Sequence, residues 1–90
     1  MRFNKGEMVN FLEFLEEKYP NEFETLESFT KSVPPAINKK DILPLVFFFW
    51  EGKYINASPI EENGKIVDFK YIRINSNGIE YLLNLKKLKT

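Results

Sequence analysis

Residues Ile42 to Trp50, read Ile-Leu-Pro-Leu-Val-Phe-Phe-Phe-Trp, form an unbroken apolar run in a chain of 90 residues. Nine residues are less than half of the ~20 that a membrane-spanning helix needs, so the run must be core, interface or a buried strand. Pro44 narrows the choice. A proline inside a helix costs about 3 kcal/mol, but the first helical turn tolerates it. With Asp41 as cap, the spacing predicts a helix over residues 42–51, closed by Gly52 as a natural C′ residue. The competing reading is a strand, because Val46 to Trp50 has high β propensity.

Either way the run supplies a core. Hydrophobic residues make up 43% of the chain and aromatics 16%, with nine Phe. That is the composition of a globular fold, and the length suits one domain over 1–90. There is no Cys and no His, which excludes disulfides, thiolate nucleophiles, Cys/His zinc sites and a histidine base. The 13 basic and 13 acidic side chains cancel, against an all-over polyanion binder. The opening residues lack the basic start and apolar block of a secretory signal, so a cytoplasmic location is expected. No cofactor is expected.

Upstream of the run, Asn4 and Glu7 have capping-box spacing. Met8, Phe11, Leu12, Leu15 and Tyr19 then fall on one helical face, and Pro20 stops the helix. Asn21, with Glu24 three residues on, predicts a second helix with Phe23, Leu26, Phe29 and Val33 on its apolar face, ended by Pro34-Pro35. Downstream, Tyr54 to Ile60 reads as a strand, confined to a sheet edge by Pro59. Asn63-Gly64 is a hairpin turn signal. Ile66 to Ile74 is the return strand. Val67, Phe69 and Tyr71 share one face and Ile72 and Ile74 the other, which predicts a bulge or a strand covered on both faces near its end. Ser76 or Asn77 opens a last helix with Ile79, Leu82, Leu83, Leu85 and Leu88. The expected order is helix, helix, helix, hairpin, helix, an α+β chain.

Two stretches carry a family resemblance. Phe49-Trp50-Glu51-Gly52-Lys53-Tyr54-Ile55 is similar to the end of the third helix and entry to the wing of winged helix-turn-helix domains. Tyr71-Ile72-Arg73-Ile74-Asn75-Ser76-Asn77-Gly78-Ile79-Glu80-Tyr81-Leu82 resembles the family's wing strand, polar turn and following helix, with Asn75 where Thr is commoner. The likeness is to small winged-helix proteins of bacteria and archaea. It implies three helices, a β-hairpin wing and a C-terminal helix, with the third helix in the major groove of double-stranded DNA and the wing on the backbone. On that basis Lys39, Lys40, Lys65, Lys70 and Arg73 are expected to contact phosphates, and Asn38 a base edge. The chain would act as a small non-enzymatic transcriptional regulator.

The residues also support a second expectation. At about 100° per residue, apolar side chains surround the third helix with no gap wider than about 60°. Such a helix is buried or sits in an interface. Base reading needs Arg, Lys, Asn or Gln on a free face, and the wing tip carries Glu61 and Glu62, which repel phosphate. Phe47, Phe48 and Trp50 are therefore expected to anchor a protein partner. The wide apolar arc of the last helix suggests a homodimer, with Leu85 and Leu88 in the interface; the alternative is packing along the first helix. The acidic residues Glu13, Glu16, Glu17, Glu22, Glu24 and Glu27 have the spacing of a solvated helix face, so no enzymatic role is expected for them.

Overall fold

Asn4 starts the first helix as expected: its Oδ1 accepts a hydrogen bond from Glu7 N at 2.7 Å. The structure, a computed structural model, describes residues 3–87. Helix α1 runs Lys5–Lys18 and buries Phe11, Leu12 and Leu15. Tyr19 falls outside it and is exposed, so the apolar stripe is one turn shorter than the periodicity predicts.

The next segment departs from expectation. Phe23–Thr25 is a strand, β1, and only Leu26–Ser32 is helical, as α2. Thr25, not Asn21, is the cap; its Oγ1 accepts from Ser28 N at 3.0 Å. The reason is a partner distant in sequence. Phe23 pairs with Ile72 and Thr25 with Lys70, and Phe23 packs its ring on Phe14 and Phe29. Tertiary pairing overrides the local capping pattern here.

A 3-10 turn, Lys39–Asp41, leads into α3, Ile42–Glu51. The helical reading of the apolar run holds, and the strand reading does not. Pro44 sits in the first turn, where its missing N–H costs little. Two details differ. Asp41 makes no side-chain cap bond, whereas Asn38 Oδ1 accepts from Lys40 N at 3.0 Å and caps the 3-10 turn. Gly52 has φ −78°, and the left-handed residue is Lys53 at φ 66°. Gly52 is needed for space instead: a Cβ there would lie 2.7 Å from the Tyr54 ring.

Strand β2 spans Ile55–Glu62 and β3 Lys65–Ile74. Asn63 and Gly64 join them, both with positive φ (54° and 79°), as the two-residue hairpin turn requires. The sheet is antiparallel with order β1-β3-β2, so Pro59 does lie on an edge strand. Pairing slips twice along β3, each time by one extra residue. The slips explain the change of face. Phe69, Ile72 and Ile74 are all buried, whereas Val67 and Tyr71, expected beside Phe69, are exposed. Tyr71 sits in the second slip with φ 57°. A bulky residue in that region is strained, at a cost of ~1–3 kcal/mol.

Helix α4, Ser76–Lys87, is capped by Asn75, whose Oδ1 accepts from Gly78 N at 2.9 Å. It buries Leu82 and Leu85. Lys86 Nζ reaches Glu13 on α1 at 2.7 Å. The core is continuous through all the main elements, and phenylalanines tie it together: Phe11 stacks on Phe49 at 5.4 Å and meets Phe29 edge-on at 5.5 Å. The described chain is thus α+β, with four α-helices and one three-stranded antiparallel sheet. Among the described residues no helix is long and apolar enough to cross a membrane.

Candidate functional site

The outward face of α3 is the feature that the sheet and the other helices leave open. With Ile42 at 0° and about 100° per residue, the buried residues Ile42, Val46, Leu45 and Phe49 fall between about 300° and 40°. The opposite arc, about 100° to 240°, carries Leu43, Phe47, Glu51, Pro44 and Phe48 in that order. Leu43 is 36% exposed and Phe48 44%. Phe47 and Pro44 are half-buried and Glu51 is exposed. The helix is therefore apolar all round, as the wheel implies, but only half of it is spent on the core.

The three expected aromatic anchors have different environments. Phe48 is the accessible one, held edge-on against Phe3 at 5.6 Å and Phe49 at 5.3 Å. Phe47 and Trp50 lean inward: both meet Phe69 edge-on, at 5.5 and 5.4 Å. Leu43 belongs to the same face and was not singled out by the sequence. On a wheel with no polar gap, nothing distinguishes an outward leucine from an inward one.

The expected interface on the last helix changes more. Leu85 is buried in the chain's own core, because α4 lies along α1, where Lys86 meets Glu13. Leu83, 50% exposed, is the leucine that α4 leaves outside. Leu88 lies outside the described residues.

The expected phosphate contacts are dispersed. Lys39 and Lys40 stand exposed in the 3-10 turn, Lys65 at the hairpin turn and Lys70 on β3. Arg73 is half-buried and folds back to donate to the Ile74 carbonyl at 3.3 Å. None of these cations forms an ion pair among the described residues. Asn38, the expected base contact, has its carbonyl oxygen committed to the cap on Lys40 N.

Two titrating groups are perturbed near α3. Glu7 shares a hydrogen bond with Asp41, and this contact, burial and the like charge hold its carboxyl above the ordinary value. Tyr81 is stacked on Tyr54 at 4.3 Å, and burial and that neighbour raise its phenol. Among the described residues no group of three or more Asp, Glu, His or Cys is placed to hold a metal ion. Comparison with protein-family models, with curated proteins and with solved structures found no match.

Proposed function

We propose that the chain is a winged-helix binding module that works through protein–protein contact at the outward face of α3, and that its first partner is a second copy of itself. The element order supports the winged helix: three helices, a hairpin and a C-terminal helix, with β1 tying the hairpin back to the helices. In such a fold α3 would be the DNA reader. Here its outward face presents Leu43, Pro44, Phe47 and Phe48, none of which reads base edges by hydrogen bonds.

The single observation that carries self-pairing is the symmetry of that face. A two-fold axis midway between Leu45 and Val46 exchanges Leu43 with Phe48, Pro44 with Phe47, and Lys40 with Glu51. Two copies of α3 packed antiparallel would then bring Pro44 and Phe47 of the two chains together near the axis, with Leu43 along one flank of the contact and Phe48 along the other. Lys40 at one helix end would meet Glu51 at the other. An isologous interface needs this kind of self-complementarity. Neither Lys40 nor Glu51 forms an ion pair among the described residues. Zero net charge leaves little repulsion between copies.

Sedimentation across a concentration series tests the reading. The wild-type chain dimerises and Phe48→Glu stays monomeric. Lys40→Glu and Glu51→Lys each weaken the dimer, and the double exchange restores it. A wild-type chain that remains monomeric at every concentration would sink the proposal.

The second reading is a regulator that contacts double-stranded DNA through phosphates. Lys39, Lys40, Lys65 and Lys70, which form no ion pair among the described residues, favour it. Its test is anisotropy with a labelled duplex: binding at low salt must fall steeply as salt rises.

A further inference from the structure

We propose that β3 around Tyr71 is a second contact site, which stacks an unpaired nucleic-acid base on the Tyr71 ring and holds the adjoining phosphates with Lys70 and Arg73. The site begins with a local anomaly. Between the pairs Ser58–Lys70 and Asn56–Arg73, β3 carries one more residue than β2, and Tyr71 lies in that excess with φ 57°. Such a position favours glycine. A tyrosine there relieves nothing inside the fold. Tyr71 is 45% exposed and joins none of the aromatic contacts that bind the core among the described residues, while Ile72 beside it is fully buried. The bulge thus turns an aromatic ring toward solvent from the central strand of the sheet.

The surroundings give the ligand class. Lys70 stands between Thr25 and Ser58 on the neighbouring strands, and Arg73 stands opposite Asn56. Small neutral side chains therefore face both cations across the strands. The Arg73 bond to the Ile74 carbonyl is long, at 3.3 Å, and uses one nitrogen of the guanidinium, which leaves further N–H donors for a phosphate. One carboxylate opposes the site: Glu24, between Phe23 and Thr25, stands level with Tyr71. An aromatic ring flanked by cations that form no ion pair among the described residues suits a single strand, whose bases expose their faces and whose backbone carries the charge. A duplex hides those faces in its own stack. The proposal shares Lys70 with the duplex reading above, and it does not depend on self-pairing through α3.

The test is anisotropy with a labelled mixed-sequence single-stranded oligonucleotide, and with the duplex of the same sequence, at low and moderate salt. The single strand should bind more tightly than the duplex and weaken with salt. Tyr71→Gly should lower its affinity about fivefold or more, while Tyr71→Phe retains it. The urea midpoint of Tyr71→Gly should not fall, because glycine accepts the φ that tyrosine resists. Glu24→Gln should tighten binding. Phe48→Glu, monomeric or not, should bind the strand as wild type does, so failure here is distinct from failure of the α3 reading. No single-strand binding at low salt, preference for the duplex, or Tyr71→Gly binding like wild type would each overturn the site.

Discussion

Gly78 lies directly against the backbone carbonyl of Tyr54, so closely that any side-chain atom added there would overlap it and come within 2.6 Å of Ile74 Cγ1. The first turn of α4 is thereby pressed onto the entry to β2. Gly78→Ala should cost about 3 kcal/mol, since neither the carbonyl nor the buried isoleucine has room to move. Urea denaturation measures it; a loss below about 1 kcal/mol would mean that α4 is not seated so closely.

Phe11 and Phe48 should behave oppositely. Phe11 is fully buried between Phe29 and Phe49, and Phe11→Ala should cost about 3–5 kcal/mol, a large share of a small domain's stability. Phe48→Ala, on the outward face, should cost about 1 kcal/mol or less in the monomer. Near-UV circular dichroism and urea midpoints of the two variants give the comparison.

Asn75 makes three contacts at once. Its Oδ1 caps α4 through Gly78 N, and its Nδ2 donates to the Lys53 carbonyl at 3.1 Å and to Asn56 Oδ1 at 3.0 Å. Asn75→Ala should cost about 2 kcal/mol, while Asn75→Asp should keep the cap and lose the donors. Hydrogen exchange of the Gly78 amide separates the two effects.

The Glu7 carboxyl titrates above its ordinary value of 4.5 because of its bond to Asp41. The folded state then holds a proton that the unfolded chain has released. Stability from this group is present below the unfolded value and is lost as pH rises through the folded one. Glu7→Gln should flatten the pH dependence of the urea midpoint just above pH 4.5. An unchanged slope in that window would dissociate Glu7 from Asp41.

How much of this was legible in the sequence depends on the distance over which each signal acts. Asn4, Pro44 and Asn63-Gly64 act within a turn of chain, and the elements they mark stand where expected. Phe23–Thr25 carries a helical pattern because the strand that claims it lies at residues 70–72, and nothing local announces the pairing. The bulge was visible as a change of face, but its outcome for Tyr71 was not, since the direction of a side chain in a slip depends on both partner strands. At the candidate site, the all-round apolar character of α3 was plain from Ile42 to Trp50. Which half faced outward required knowing where Phe69 and Phe11 packed. Leu85 shows the same limit: its helix alone does not reveal that α1 covers it.

The pairing of Phe23 with Ile72 also sets how the chain must assemble. The hairpin closes through two residues and the helices close within themselves, so these parts can order early and locally. β1 joins the sheet only after a loop spanning about half the chain has been brought together, and the entropy of that closure is paid before its few hydrogen bonds form. Completion of the sheet is therefore a late event in folding. Until β1 arrives, β3 is a strand with one side unpaired, although the rings of Phe14, Phe23 and Phe29, on three consecutive elements, can already meet.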